Sequence, residues 1–176
     1  MSEKVKAVLS LTIICFVVSL AVVFSYIITK PHIERSANEE AYKAMESVLP
    51  EVRSFEEIEV LQETLNAYNC TFLRKAADSN AIAMQIETRG YQSGLVVMVG
   101  VGEDSKISGV RVVKHSETEG IGTRAMTEQY LEQYKKKGDT TDIELISGAT
   151  YTSEGIKTAV KKAIELFEEI KKGDGR

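Results

Sequence analysis

The chain is poor in cysteine, with two in 176 residues, Cys15 and Cys70. They form no CxxC motif, and Cys15 lies in a long uncharged stretch while Cys70 does not, so they make no disulfide framework. The same scarcity excludes a protein-ligated iron–sulfur cluster or structural zinc within this chain. Cys70 reads as an ordinary buried thiol. Basic residues are also in deficit: 22 Lys and Arg against 26 Asp and Glu give a formal net charge of −4 and a pI near 5.4. Nucleic acid is excluded as a partner, because domains that bind it are basic. No repeat is visible, and no low-complexity linker splits the chain. Mean hydropathy of −0.12 is that of an ordinary soluble protein, but the apolar residues are unevenly spread.

Ala7–Thr29, AVLSLTIICFVVSLAVVFSYIIT, runs for 23 residues without a charge. As a helix rising about 1.5 Å per residue it reaches roughly 35 Å, enough for a hydrocarbon core of about 30 Å. The hydroxyls of Ser10, Thr12, Ser19, Ser25 and Thr29 can bond back to the helix backbone. Tyr26 suits an interface, and Lys30 and Pro31 close the segment. A cleaved signal peptide has a shorter apolar region, roughly 7–15 residues, and Lys30-Pro31-His32 is a poor cleavage context. The expectation is a retained single-pass anchor. Lys4 and Lys6 before it match Lys30 and Arg35 after it, so charge leaves its orientation open.

Beyond Thr29 lie 147 residues with a net charge of −5, the size of one domain with its own core. From Ser36 to Leu49, Ala37, Ala41, Met45, Val48 and Leu49 fall at helical spacing before Pro50. This helix either stands alone or continues from the span, interrupted near Pro31. Ser54 and Glu57 have capping-box spacing ahead of Ile58, Leu61 and Leu65, a pattern that also fits an irregular amphipathic segment. Ala81–Thr88, Leu95–Gly102 and Ile107–Val113 are short, rich in β-branched residues and separated by turn signals, so they predict an antiparallel meander. Thr127–Lys136 predicts a helix ended by Lys135, Lys136, Lys137 and Gly138. This lysine run is either a solvated helix end or a binding patch. Asp142–Ile146 is a candidate fourth strand. From Thr152 onward, Ile156, Val160, Ala163, Ile164, Phe167 and Ile170 make one apolar helical face, with Thr152 or Ser153 placed to cap it. The predicted fold class is α+β. One N-terminal transmembrane helix precedes a single domain with a mainly antiparallel sheet flanked by helices. Its parts are a tip at 1–6, the span at 7–29, a helical connecting region at 30–80 and a domain at 81–176.

Two loops carry chemistry. Ser147-Gly148-Ala149-Thr150-Tyr151-Thr152-Ser153 stands between a strand candidate and the N-terminus of the strongest helix. Unpaired N–H groups and the positive end of the helix dipole collect there and favour a phosphate. Its small residues permit close approach, and its hydroxyls supply donors or a nucleophile that becomes esterified. The same composition also describes a Ser/Thr-rich helix cap. The second loop, His115-Ser116-Glu117-Thr118-Glu119-Gly120-Ile121-Gly122, combines an imidazole and two carboxylates with two glycines that allow backbone to approach a planar or phosphorylated ligand. It lacks the strand–helix setting of a dinucleotide fold, and His115 with Glu117 falls short of a metal site. A polar surface loop is the alternative. Tyr91, between Gly90 and Gly94, either stacks on a ring or covers the core.

Together these blocks resemble the FMN-binding domain family of the Rnf electron-transport complex G subunit and the sodium-pumping NADH:quinone reductase C subunit. Gly90-Tyr91 through Gly94 leads into Val97-Met98-Val99-Gly100. His115–Gly122 is similar to the family's H-x-E-T-P-G-L-G. Ser147-Gly148-Ala149-Thr150, with Thr152 and Ser153 after it, looks like the flavinylation signature. The resemblance covers essentially the whole chain, and the short length favours the Rnf subunit. Glu119 stands where the family has Pro, and Glu144 stands where the signature's leading Asp is expected. Glu144 keeps the charge, so attachment is expected to survive.

The resemblance implies FMN joined through its phosphate to Thr150 by a flavin transferase of the ApbE type with FAD as donor. It implies that His115, Glu117, Thr118 and Gly120, with Tyr91, line the ring or its chain. Ser147, Gly148, Ala149, Thr152 and Ser153 then line the phosphate. No catalytic residue and no metal ligand is expected. It also implies an inner-membrane protein whose flavin domain lies outside the cytoplasm and whose N-terminal tip lies inside. Its partners are membrane lipid and the other membrane, iron–sulfur and flavin subunits of an Rnf complex. Such a subunit relays electrons in a ferredoxin:NAD oxidoreductase that pumps ions and completes no reaction alone. The competing expectations are a stand-alone FMN-dependent reductase and a cofactor-free anchored scaffold.

Overall fold

The computed structural model describes residues 3–173, apart from the side chains of 3–7, 10, 27, 28 and 30–38. The chain divides between Glu40 and Ala41 into two compact units. The first unit is helical throughout its described length and belongs to α1 (Glu3–Val48). Its apolar side chains are exposed around the helix, including Val8, Leu11, Ile14, Phe16, Val18, Val22 and Phe24. Thr12 and Ser19 donate their hydroxyls to the carbonyls of Val8 and Cys15, at 2.9 and 2.8 Å. Among the described residues no helix is long and apolar enough to cross a membrane. The expected span includes Ala7, Ser10, Ile27 and Ile28, whose side chains lie outside the described residues, as do Met1 and Ser2 of the expected tip. The helix does not stop at Pro31. Proline removes one amide donor, but the backbone stays helical to Val48.

The second unit is built on one sheet of five antiparallel strands in sequential order: β1 (Phe55–Glu56), β2 (Cys70–Ala76), β3 (Ile82–Arg89), β4 (Ser93–Val101) and β5 (Ile107–Lys114). The last three are the predicted meander, so the α+β class holds. The Gly90–Gly94 and Glu103–Ser105 links are both hairpin connections. β4 is apolar at both parities because both of its faces are covered. On one face, Val97, Val99 and Val101 join Ile82, Met84 and Ile86 against α4 (Thr150–Gly173), which contributes Ile156, Val160, Ala163, Leu166 and Phe167. Each such side chain contributes about 1.5–3 kcal/mol on burial. On the other face the residues are small apart from Met98. Ala83, Met98, Gly100 and Gly109 receive Ala41, Ala44, Met45 and Val48 from the end of α1. A Cβ on Gly100 would stand 2.6 Å from the Val48 carbonyl oxygen, and one on Gly109 would stand 2.9 Å from the Val48 Cα. Glycine lets the helix backbone lie directly on the sheet.

Four local expectations are overturned. Ser54 and Glu57 make no capping box. Phe55–Glu56 pairs with β2, Ser54 accepts from the Ala77 amide, and α2 (Gln62–Ala67) starts later without a side-chain cap. The connecting region 30–80 therefore holds two strands as well as helix. Asp142–Ile146 is not a strand, because its donors go elsewhere. The Ile143 amide bonds to the Thr140 carbonyl, that of Glu144 to Gln133 Oε1, and that of Ile146 to Ser153 Oγ. Thr127–Lys136 is broken into α3 (Glu128–Leu131) and a 3-10 turn at Glu132–Tyr134. Two bonds with Ile107, from the Lys136 amide and to the Lys137 carbonyl, draw the chain onto β5. Lys136, not Gly138, takes the positive φ there, at 62°. Finally, α4 begins at Thr150, so Thr152 and Ser153 lie inside its first turn, buried rather than capping from outside.

Candidate functional site

The start of α4 is fixed by a buried hydroxyl. Ser153 Oγ accepts from the Ile146 amide at 3.2 Å and donates to the Ala149 carbonyl at 2.9 Å, so one side chain holds both ends of the 146–149 turn. The Ala149 amide closes that turn onto Ile146 O at 2.9 Å. Gly148 sits at φ +82°, a left-handed conformation that glycine adopts without strain. The Ser153 amide also bonds to Ala149 O, but among the described residues no acceptor meets the amides of Thr150, Tyr151 and Thr152. Three free donors therefore stand at the positive end of a 24-residue helix. Thr150 is exposed. Its Oγ1 makes one long bond, 3.5 Å, to the Ile146 carbonyl. Arg124 reaches this turn from a 3-10 segment at Gly122–Met126 and donates from Nη1 to the Ser147 carbonyl at 3.4 Å.

Glu117 ties three segments together. It is 8% exposed. Its Oε1 accepts from the Gln92 amide at 3.0 Å, and its Oε2 accepts from Thr152 Oγ1 at 2.7 Å. The carboxylate thus joins the β3–β4 turn, its own loop and the first turn of α4. Two glycines make room for it. A Cβ on Gly90 would stand 2.6 Å from Oε1, and one on Gly122 would stand 2.7 Å from Oε2 and 2.9 Å from Thr152 Oγ1. The loop after Glu117 turns on the Thr118 carbonyl, which accepts from the Ile121 and Gly122 amides. Gly120 there lies at φ +74°. Glu119 is exposed and accepts from Thr123 Oγ1 at 3.4 Å.

Around this strut opens a cavity of about 380 Å³, lined by Tyr91, Glu117, Thr118, Ile121, Gly122, Gly148, Ala149, Thr150, Tyr151 and Thr152. Of the residues singled out in the sequence, Tyr91, Glu117, Thr118, Gly148, Ala149, Thr150 and Thr152 meet here. Ser153 lies buried in the first turn of α4, and Ser147 and Gly120 lie outside the lining. His115 is exposed and also outside it. Sequence reasoning missed Ile121, Gly122, Tyr151 and Arg124 as parts of the site. Gly122 carried a signal in its place at the end of a two-glycine loop, and Tyr151 in its place beside Thr150. Arg124 carried none. Two larger clefts, about 740 and 780 Å³, lie elsewhere and contain neither loop. Among the described residues no three His, Cys, Asp or Glu side chains gather into a metal-binding group.

Residues 90–165 match the family of FMN-binding domains. That segment holds both loops, the whole cavity lining and all eleven residues singled out as cofactor-binding. Over longer stretches the chain is similar to G subunits of ion-translocating complexes. It is 26% identical to the G subunit of the proton-translocating ferredoxin:NAD(+) oxidoreductase complex of Clostridium ljungdahlii, over 89% of this chain and 87% of that one. It is 26% identical to the G subunit of the ion-translocating oxidoreductase complex of Methanosarcina acetivorans, over 93% and 94%. It is 24% identical to the G subunit of the Na(+)-translocating ferredoxin:NAD(+) oxidoreductase complex of Acetobacterium woodii, over 95% of each. The residues of the matched segment fit the nucleotide. The cavity falls within the roughly 300–1,000 Å³ of small-molecule sites. The helix start offers unpaired amides, and a Cβ on Gly148 would meet nothing nearer than Arg124 Nη1 at 3.7 Å, so the turn is open on its outer side.

Proposed function

We propose that this protein is the electron-carrying G-type subunit of a membrane-bound, ion-translocating ferredoxin:NAD oxidoreductase complex of the Rnf kind. It carries FMN as a phosphoester on Thr150. The carrying observation is the placement of Thr150. Its hydroxyl is exposed, weakly held, and on the lining of a cavity inside the FMN-binding domain, at the first residue of α4. Bound FMN supplies one- and two-electron redox chemistry, which no side chain of this chain replaces.

The chain's own residues have distinct parts. Thr150 Oγ1 attacks the FMN-side phosphorus of FAD, presented by a flavin transferase of the ApbE type. The new O–P bond replaces the pyrophosphate linkage, AMP leaves, and the hydroxyl proton passes to base. The phosphodiester keeps one negative charge, which the free amides of α4 and the helix dipole stabilise. Arg124 adds a positive charge at the same turn. Glu117 and Ser153 hold the two loops in register, and Glu144 supplies the acid expected ahead of the signature.

The stretch Ala7–Thr29 spans the inner membrane once, with residues 1–6 in the cytoplasm and the flavin domain outside it. Its support is an uncharged run whose described apolar side chains are exposed around the helix, a surface that needs cover by an apolar phase. In this setting the subunit meets membrane lipid and the other redox subunits of the complex. It is a part of the oxidoreductase rather than a complete enzyme.

The test is co-expression of the full chain with a flavin transferase, followed by denaturing electrophoresis under ultraviolet light. A fluorescent band is expected from the wild type. A dark band is expected from Thr150→Ala, with thermal stability retained. Fluorescence that survives in Thr150→Ala and is lost in Thr152→Ala would move the site.

A further inference from the structure

Tyr91 and Tyr151 are large aromatic side chains left open on this domain, 63% and 65% exposed. They come from distant segments, the β3–β4 turn and the first turn of α4, but touch each other. Their ring centroids are 6.1 Å apart and their planes are inclined by 60°. Both rings line the 380 Å³ cavity, and both also line a second one of about 500 Å³. The pair is therefore the wall between two compartments, and the compartments differ in chemistry. On Thr150's side the wall faces Ile121, Gly122, Ala149 and threonine side chains, and the one charged group of that lining, Glu117, has both carboxylate oxygens engaged by the Gln92 amide and Thr152. On the other side it faces Arg89, Glu154 and Thr158. Thr150 opens only into the first. A planar, largely apolar heteroaromatic ring tethered at Thr150 meets an aromatic wall and Ile121 there. A solvated, charged cleft lies behind that wall.

We propose that Tyr91 and Tyr151 form a two-ring screen. It packs against one face of the isoalloxazine ring and separates it from the polar cleft lined by Arg89 and Glu154. The proposal rests on the covalent-flavin reading above and adds Tyr151, the residue that follows the attachment site, as a positioning residue for the ring. Its physical basis is that aromatic rings prefer offset or tilted contact with another π-system. Tyr151 leaves the helix one residue after the tether, and among the described residues the one ring it contacts is Tyr91. The screen is closed by the same strut that builds the site. Glu117 holds the turn bearing Tyr91 through the Gln92 amide, and the helix start bearing Tyr151 through Thr152.

The experiment uses the full flavinylated chain in detergent and compares flavin emission before and after unfolding in guanidinium. A phenol ring in contact with isoalloxazine quenches its emission, so wild-type emission is expected to rise several-fold on unfolding. In Tyr151→Leu and Tyr91→Leu, native emission is expected to rise several-fold toward the unfolded level, while emission after unfolding matches the wild type. Tyr151→Trp restores an aromatic ring and is expected to restore the quenching. Native emission unchanged in both leucine variants, with flavin attached at wild-type level, would overturn the screen and leave the covalent reading standing. Failure of both leucine variants to take up flavin would also overturn it, assigning the rings to recognition by the transferase. A wild type without fluorescence on a denaturing gel would remove the covalent reading and the screen with it.

Discussion

The β3–β4 hairpin and the segment 117–153 lie side by side but are held differently, the first by a backbone ladder and the second by short turns pinned at key points by side chains. In the hairpin, seven consecutive pairings from Ile82↔Val101 to Thr88↔Leu95, and one more past a bulge at Arg89↔Ser93, form the ladder, and side chains are free to pack. In the segment, turns carry more of the amides than side chains do, and side chains take several that no turn reaches. Gln133 takes the Glu144 amide, Ser153 that of Ile146, and Thr123 that of Gly120, while Glu117 reaches out to take the Gln92 amide of the hairpin's turn. A ladder spreads its load over many equivalent bonds, so no single residue decides its path. A loop held by single side chains can take a shape no ladder allows, at the cost of depending on each of them. The cavity beside Thr150 sits on the second kind of structure, while the first kind and α4 supply the rigid frame beneath it.

This contrast can be broken by substitution. The largest effect is expected in the frame. Phe167→Ala removes a fully enclosed ring from between α4 and the sheet and should cost about 3–5 kcal/mol, read as a lowered denaturant midpoint. The folded fraction should still accept flavin at Thr150. Glu117→Ala should cost less globally, about 1–3 kcal/mol, because of its two partners only Thr152 is buried while Gln92 is exposed to water, yet depress flavin attachment more than Phe167→Ala does. A Glu117→Ala protein that flavinylates like the wild type would show that the loops hold themselves, and the contrast would fail.

The smallest expected effect concerns pH and the dryness of the frame. Burial pushes the Cys70 thiol up to about 11, partly offset by backbone hydrogen bonds with Phe72 and Gln85. The folded thiol keeps its proton to a higher pH than the unfolded one. The contribution is therefore fully present below the ordinary thiol value of 9.0 and is lost as pH rises toward 11. A decline on the order of 1 kcal/mol by pH 10 follows from linkage. It should appear in denaturant titrations of a Cys15→Ser background and vanish in Cys15→Ser/Cys70→Ala.

The same contrast explains what could be read from the residues alone. Strands β3 to β5 announce themselves through β-branched runs and turn residues, and α4 through its apolar stripe, because ladders and helices impose periods of two and 3.6. β2 was illegible. Cys70–Ala76 carries Arg74 and Lys75, and its Arg74 charge is accommodated over the Phe72 ring at 4.7 Å and against Glu57 at 3.3 Å. Asp142–Ile146 misled in the other direction. Ile143 and Leu145 alternate like a strand, but the amides of Glu144 and Ile146 are taken by Gln133 and Ser153, and no periodicity reveals a side chain competing for an amide. In the site, the types and order of Glu117, Gly148, Thr150 and Ser153 were visible. Their division of labour was not, since it depends on contacts between residues up to 35 positions apart.

The most direct test of the central claim is tandem mass spectrometry of the peptide that contains residues 147–153, taken from the full chain co-expressed with a flavin transferase. The expected result is a mass increase of one FMN less one water, localised by fragmentation to Thr150. Flavin on Thr152 or Ser153, or an unmodified peptide from cells that flavinylate other proteins, would contradict it.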